Sequence, residues 1–129
     1  MAYIRFVTNW TTHDDHQECG LLAAACDIRD QFLMQGSDFF ELCEQVDWFT
    51  ENLDIPPMLG DPSFGKTESW FLAEAHDHIL RAQSLAALLE RAIVQTTVHK
   101  RKILDNVVYR DAHQILAKVT TGTYHHKSS

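Results

Sequence analysis

The stretch from residue 37 to residue 53 separates apolar from acidic residues more sharply than any other part of the chain. On a helical wheel its apolar residues cover about a third of the circumference, with the acidic residues on the opposite side. This pattern predicts a surface helix that begins at Ser37 or Asp38, ends near Asn52 and packs one side against a core. The apolar set is Phe39, Leu42, Cys43, Val46, Phe49 and Leu53, and the acidic set is Glu41, Glu44, Asp47, Glu51 and Asp54.

Two further segments predict helices that pack beside this one. Residues 17–34 carry Leu21, Ala25, Ile28 and Phe32 at helical spacing, and Gly36 supplies a left-handed stop after them. We expect these first two helices to form an antiparallel hairpin. Residues 67–92 contain neither glycine nor proline and predict the longest helix of the chain.

Both ends of the chain change to the period of a β-strand. Residues 3–8 alternate and are rich in β-branched and aromatic side chains, and shorter alternating stretches surround Val98 and Val107. Asp105 and Asn106 suit a hairpin turn between those two stretches. Residues 113–119 fit either a strand or a short helix, and we favour a strand.

This order of elements predicts an α+β fold. A small, mostly antiparallel sheet, made of the N-terminal strand and a C-terminal meander, packs against three helices. The length of 129 residues is enough for one domain with its own core. We therefore expect a single domain over residues 1–120 and a flexible polar tail over residues 121–129.

The net charge of −7 is distributed unevenly along the chain. Residues 1–99 hold 16 acids and five bases, whereas residues 100–129 hold two acids and six bases. Nucleic-acid binding depends on neutralising phosphates, so this acidic surface argues against a nucleic-acid partner. It favours a basic protein partner or the basic patch of a second copy, although an acidic surface also simply keeps a protein dispersed.

The one basic cluster is Lys100-Arg101-Lys102, and we interpret it as an interaction site. A solvated hairpin tip explains the same residues equally well. Since most homo-oligomers are two-fold dimers, the acidic stretch and this cluster predict a homodimer. Exposed ion pairs are too weak to hold a dimer, so we expect apolar surface near the sheet edge and around Trp48 and Trp70 to supply the affinity.

Compartment follows from hydropathy and cysteine usage. The longest uncharged apolar stretch runs over residues 20–26, which is far short of the roughly 20 residues of a membrane span. The N-terminus lacks the apolar core of a signal peptide. An odd count of three cysteines favours reduced thiols. We therefore predict a cytoplasmic protein with no membrane partner.

The residues that carry chemistry do not form a known catalytic or metal-binding motif. The sequence has eight histidines but no CxxC, HExxH or GxSxG pattern. On the predicted third helix, His76 and His78 face away from each other, and only Glu74 and His78 share a side. We assign no catalytic residue, no metal and no cofactor.

Two tryptophan–phenylalanine pairs flank a segment, residues 54–66, that contains all three prolines. We interpret Trp48, Phe49, Trp70 and Phe71 as candidate ligand-binding residues of a pocket between the second and third helices. The alternative is packing, with Phe49 and Phe71 in the core and Trp48 and Trp70 shielding its edge.

Several short motifs follow one another along the chain. They are Ile4-Arg5-Phe6-Val7; Asp47-Trp48-Phe49 with Leu53 and Pro56-Pro57; Trp70-Phe71; Leu88-Leu89-Glu90; and Tyr109 with Asp111 and Gln114. In these the chain resembles a group of small bacterial proteins, with no assigned function, that have an IRFV start and a DWF..L..P segment. Some of them are carried on mobile gene cassettes, so the resemblance implies an accessory protein. The chain departs from the group over residues 100–106, where its members tend to have a Pro-Gly turn.

Together these patterns predict a small, acidic, non-catalytic interaction or adaptor protein. The alternative is a small-molecule binding protein or enzyme with a pocket at the proline-rich segment. Polar groups converging beside Trp48 and Trp70 would favour the pocket. An exposed apolar or charged patch would favour the interaction protein.

Overall fold

A computed structural model describes residues 2–11, 18–57 and 66–119 of the chain. The predicted tail at 121–129 and most of the proline-rich segment, residues 58–65, lie outside these ranges, so the predictions for them remain untested. The described elements are β1 (Tyr3–Thr11), β2 (Glu18–Gly20), α1 (Leu21–Asp30), α2 (Gly36–Asn52), β3 (Thr67–Leu72), α3 (His76–Glu90), β4 (Thr96–Arg101), β5 (Val107–Arg110) and β6 (Gln114–Lys118).

The strands form one sheet in which every pair is antiparallel. β4 pairs with β1 along one edge, from Tyr3 to Thr8. The other edge of β1 is shared, because β3 pairs with it at Tyr3 and Ile4 and β2 pairs with it at Val7 and Thr11. β6 and β5 follow beyond β3. The predicted α+β architecture, a mostly antiparallel sheet against three helices, is confirmed.

The C-terminal strands also correct one prediction. Residues 114–118 form a strand, as favoured, but the predicted hairpin between Val98 and Val107 is wrong. β4 lies beside β1 and β5 lies beside β6, at opposite edges of the sheet. The alternating pattern identified each strand but not its partner, and β1 offers β4 six consecutive paired positions.

The predicted helix over residues 67–92 is also wrong in its first part. Residues 67–72 form β3, and α3 begins only at His76. Thr67, Trp70 and Phe71 are residue types that favour strands, and β3 is paired on both sides, with β1 and with β6. A strand with two partners gains ladder hydrogen bonds that outweigh the weak helix propensity of this stretch.

The predicted second helix is confirmed almost to the residue, since α2 spans Gly36–Asn52. Its side chains Leu42, Val46 and Phe49 are buried, whereas Glu41 and Glu44 are exposed. The main core lies between α1, α2, α3 and the helix-facing side of β1. It contains Phe6, Leu21, Ala24, Ala25, Ile28, Met34, Leu42, Val46, Phe49, Ala82, Leu85, Leu88, Leu89 and Val94.

The first helix is shorter than predicted, and glycine does not end it. Residues 18–20 form β2, and α1 ends at Asp30. The left-handed residue after it is Phe32, with φ of 55°, while Gly36, with φ of 63°, begins α2. The N–H of Phe32 donates to the carbonyl of Arg29 (3.1 Å), and that of Leu33 donates to the carbonyl of Ile28 (3.1 Å). This is the Schellman arrangement, with phenylalanine where glycine is usual.

No helix within the described ranges is both long enough and apolar enough to cross a membrane.

Candidate ligand-binding cavity

The sheet opens between β1 and β3. β3 is in register with β1 only at Leu72 and Phe71, and its earlier residues pair with β6 instead. β2 joins the same edge of β1 further along, at Val7 and Thr11. The edge of β1 at Arg5 and Phe6 is therefore left between two diverging strands.

The Arg5 side chain bridges this gap. Its Nη1 donates a hydrogen bond to the carbonyl oxygen of Ser69 on β3 (3.1 Å), and its Nε lies 3.9 Å from a carboxylate oxygen of Glu68. On the other side, a Cβ at Gly20 of β2 would lie 3.9 Å from both Nη atoms. The guanidinium group thus hydrogen-bonds to β3 and lies beside Gly20 of β2, where backbone pairing stops.

A cavity of about 360 Å³ lies under this gap, between the sheet, α1, α2 and the segment that follows α2. The cavity is partly open to solvent, so a molecule can enter it from the surface. Its apolar lining includes Leu21, Leu22, Ala23, Val46, Phe49, Leu53, Pro56, Trp70, Phe71 and Ala82. Its polar lining includes Arg5, Thr50, Thr67, Ser69 and Gln114.

Aromatic rings form the wall of the cavity toward α3. The centroids of Phe49 and Phe71 lie 6.3 Å apart, and those of Phe71 and His78 lie 6.2 Å apart. His78 in turn stacks on His113, with centroids 4.2 Å apart. His78 Nε2 lies 2.7 Å from the carbonyl oxygen of Asn52, which only accepts, so Nε2 carries a hydrogen and donates it. This bond joins the end of α2 to α3.

A hydrogen-bond network around Asp111 fixes the polar end of the cavity. Gln114 is 3% exposed, and its Nε2 donates to the carbonyl oxygen of Asp54 (2.6 Å) and to Asp111 Oδ2 (3.0 Å). Asp111 also accepts from the N–H groups of His113 (2.8 Å) and Gln114 (3.0 Å) and from the Tyr109 hydroxyl (2.8 Å). The segment after α2 is thereby tied to β6.

This network shifts the pKa values of the Asp111 carboxyl group and the Tyr109 phenol. Burial by itself raises the pKa of Asp111, but the donors of His113, Gln114 and Tyr109 together hold it below its ordinary value. The hydrogen bond that Tyr109 donates to Asp111 raises the pKa of the phenol. Asp111 is therefore an ionised anchor for the site near neutral pH.

Cys26 of α1 also lines the cavity. Burial raises the pKa of its thiol; the charge of Arg29 lowers it by less, and that of Asp30 raises it further. The thiolate is the nucleophilic form of cysteine. Cys26 therefore stays protonated near neutral pH and contributes a small apolar surface.

The structure brings together three of the four predicted ligand-binding residues. Phe49, Trp70 and Phe71 line the cavity, whereas Trp48 lines a separate open groove on the outer side of α2. There the guanidinium carbon of Arg81 lies 4.9 Å from the Trp48 ring centroid. The cavity also extends toward α1 and the sheet gap rather than lying between the second and third helices alone.

The predicted basic cluster lies at the end of β4 and just beyond it. Lys100, Arg101 and Lys102 are exposed. The guanidinium carbon of Arg101 lies 5.6 Å from the Trp70 ring centroid. Glu74 precedes α3, so it does not share a helix side with His78. Among the residues with described positions, no three histidine, cysteine or acidic side chains cluster as metal ligands.

Sequence reasoning missed the polar lining of the cavity, which includes Arg5 and Gln114. One signal for Arg5 is a charged residue between the apolar residues Ile4 and Phe6 of the first strand. Gln114 was noted with Tyr109 and Asp111 as a motif, and the structure joins these three by hydrogen bonds. The small lining residues Ala23 and Ala82 carry no such signal.

Comparisons with protein-family models, with curated proteins and with solved structures find nothing that matches this chain. The cavity and its hydrogen bonds are therefore the basis for a functional proposal.

Proposed function

We propose that this protein binds a small, largely apolar molecule in the cavity beneath the β1–β3 gap. The main observation in support is a cavity of about 360 Å³ with an aromatic wall and one polar end. Ligand pockets commonly have volumes of about 300–1,000 Å³ and combine apolar walls with a few fixed polar groups. Since an apolar cavity of about 150 Å³ admits benzene, this one has room for two fused rings.

The polar groups of the cavity suit binding better than catalysis. Gln114 and Arg5 are committed to hydrogen bonds within the protein, which fixes their positions. Cys26 is held in its less reactive protonated form by burial. The ligand we infer has a flat apolar body and one hydroxyl or amide group directed toward Gln114.

Titration with 2-naphthol, followed by saturation-transfer NMR, tests this proposal. Ala23 is exposed on α1 and lines the cavity, so Ala23→Trp should block the entrance without disturbing the core. Ala87→Trp is the matched control, because Ala87 is exposed on α3 and does not line the cavity. We expect the wild type and Ala87→Trp to bind, and Ala23→Trp to lose at least about tenfold in affinity, or about 1.4 kcal/mol.

A second readout locates the ligand within the molecule. Bound 2-naphthol should slow alkylation of Cys26 by N-ethylmaleimide while leaving Cys43, which lines the outer groove, unprotected. Absence of binding to the wild type, or equal binding to both tryptophan variants, would contradict the proposal. Equal protection of both thiols would place the ligand elsewhere.

A second candidate is a non-catalytic interaction or adaptor protein that acts as a homodimer in the cytoplasm. Exposed apolar side chains at one end of the helices favour it, as do the exposed acids Glu41, Glu44, Asp47 and Glu51 along α2. The acids suit a basic protein partner. The resemblance to small bacterial accessory proteins, some on mobile gene cassettes, belongs to this candidate. The oligomeric state of the purified protein tests the homodimer.

A further inference from the structure

Two helices of this protein end in the same unusual way. Like α1, α3 closes with a Schellman arrangement: the N–H of Ile93 donates to the Glu90 carbonyl (3.0 Å) and that of Val94 to the Leu89 carbonyl (3.1 Å). Ile93 occupies the left-handed position with φ of 62°, as Phe32 does after α1. Both side chains are open to solvent, with exposed fractions of 71% for Phe32 and 86% for Ile93.

These choices run against the usual preferences at both positions. Glycine is the common residue at the left-handed position of a helix end, since it has no Cβ to clash. A bulky or β-branched residue with positive φ is an outlier that carries strain. Neither side chain is buried in the core in compensation. At both helix ends a large apolar side chain thus occupies a left-handed position that glycine would fit better.

The two helix ends lie at the same end of the helical layer. Arg91, two residues before Ile93, places its Nη1 2.6 Å from Asp38 at the start of α2. On that same turn, Phe39 stacks on Phe32 with centroids 5.5 Å apart, and Phe40 contacts Phe39 edge-on at 6.2 Å. We name Phe32, Leu33, Phe39, Phe40 and Ile93 the helix-end patch.

We propose that the helix-end patch is the surface through which two copies of this chain form a homodimer. In a two-fold dimer the same patch faces itself, so an apolar cluster is its own complement. Phe32 and Phe40, which is 74% exposed, together present roughly 300 Å² of apolar surface, from about 150–250 Å² per ring. This is a large share of the about 800 Å² that each partner buries in a standard interface.

The charges around the patch also suit a second copy. Arg29 and Asp30 form one ion pair at its border (3.2 Å), and Arg91 and Asp38 form another (2.6 Å). Each pair presents both signs, so a two-fold rotation can set an arginine of one copy against an aspartate of the other. The exposed acids Glu41 and Glu44 lie beside Phe40, so the acidic part of α2 begins at the edge of the patch and the affinity has to come from the apolar side chains.

This inference rests on the second candidate function and proposes a different source for its affinity than the sequence predicts. Apolar surface near the sheet edge and around Trp48 and Trp70 was expected to drive association. Trp70 is only 4% exposed, and the edge strands expose Val98 (48%) and Val107 (44%) less than the helix ends expose Phe32 and Ile93. Of the exposed large apolar side chains, Phe32, Leu33, Phe40 and Ile93 lie in the helix-end patch, whereas the others are spread over the rest of the surface. The helix-end patch is therefore the place where such side chains come together.

Sedimentation velocity over micromolar concentrations, with Phe32→Gly and Ile93→Gly, tests the patch. Glycine relieves the strained backbone, so the urea midpoint of each variant should stay the same or rise. The dissociation constant of the dimer should nevertheless increase at least about tenfold, because the apolar side chain is lost. Ile103→Gly is the matched control, since Ile103 is 76% exposed, lies in the β4–β5 connection and should leave the dimer intact.

The outcomes separate the patch from the homodimer itself. A wild type that stays monomeric at every concentration would overturn both the homodimer and the patch. A wild-type dimer that Phe32→Gly and Ile93→Gly leave unchanged, or that Ile103→Gly weakens equally, would overturn the patch alone. Loss of the dimer in both patch variants, with unreduced stability, is the result that supports it.

Discussion

The same dipeptide, tryptophan followed by phenylalanine, occurs in α2 and in β3, and its tryptophan is buried to a different extent in each. In α2, Phe49 is buried in the core and Trp48 is half-buried beside it, in contact with Arg81. In β3, Phe71 contacts the helix-side core, while Trp70 is almost completely buried and packs under Arg101. Both phenylalanines meet across the cavity wall, but the tryptophans point to different parts of the molecule.

The difference follows from the period of each element. Adjacent residues are about 100° apart around a helix, so Trp48 lies on the flank of the face that Phe49 buries. Adjacent residues in a strand point to opposite faces, so Trp70 lies on the face of the sheet opposite to Phe71. Trp70 borders the cavity only because the sheet opens there.

The largest expected effect is a contrast in stability between the two tryptophans. Trp70→Ala should cost about 3–5 kcal/mol of unfolding free energy, as large buried side chains do when they are truncated. Trp48→Ala should cost about 1–2 kcal/mol, because its ring is already partly solvated. Urea unfolding of both variants measures the contrast, and equal losses would show that the strand does not bury its tryptophan more deeply than the helix does.

A control separates burial from hydrogen bonding at Trp70. Its Nε1 has no hydrogen-bond partner among the residues whose positions are described. Trp70→Phe keeps most of the buried ring and breaks no hydrogen bond within that part of the chain. Its loss should therefore be much smaller than that of Trp70→Ala, and a loss of similar size would point to a polar role for the indole.

This comparison also shows why the fold was predictable in outline. The acidic and apolar sides of α2 are encoded within a single stretch, so its bounds followed from the sequence. Residues 67–72 also fit a helical pattern when they are considered alone, and their pairing with β1 and β6 decides that they form a strand. Long-range pairing likewise placed β4 beside β1, which no local turn signal encodes.

The candidate site was predictable only in part, for a related reason. Aromatic residues such as Phe49 and Phe71 are conspicuous in a sequence, and they were proposed as ligand-binding residues. The gap in the sheet comes from the divergence of β3 from β1, and its contacts, such as Arg5 with Ser69, join residues far apart in the chain. Left-handed Phe32 and Ile93 were missed because glycine is the usual signal for that position.

An intermediate effect is expected at the network that holds the β3 side of the cavity. Gln114 is in register with Phe71, and Asp111 orients it. Asp111→Asn replaces a carboxylate, which only accepts hydrogen bonds, by an amide whose NH₂ group would face the donors of Tyr109 and Gln114. The variant should therefore lose about 1–3 kcal/mol of unfolding free energy near pH 7. Asp105→Asn, at an exposed aspartate in the β4–β5 connection, should cost little.

The pH dependence of this loss distinguishes charge from shape. The pKa of Asp111 is lower in the folded protein than its ordinary value of about 3.9. Its ionised form therefore stabilises the fold above that value, and the contribution is lost as the pH falls through the folded pKa. The difference in unfolding free energy between wild type and Asp111→Asn should shrink in that acidic range. A difference that stays constant with pH would assign the effect to shape alone.

The smallest expected effect concerns the arginine that covers each tryptophan. Arg81 lies closer to Trp48 (4.9 Å) than Arg101 lies to Trp70 (5.6 Å), and Arg81 is half-buried whereas Arg101 is exposed. Cation–π contacts are worth about 0.5–1 kcal/mol at exposed sites and more when desolvated, so the helix pair should couple more strongly than the strand pair.

Double-mutant cycles that combine Arg81→Gln with Trp48→Leu, and Arg101→Gln with Trp70→Phe, measure the two coupling energies. Retaining an aromatic ring in the second cycle means that it reports only the part of the contact specific to indole. A larger coupling for Arg101 would mean that burial of the ring, rather than distance and desolvation of the guanidinium, determines the strength of these contacts.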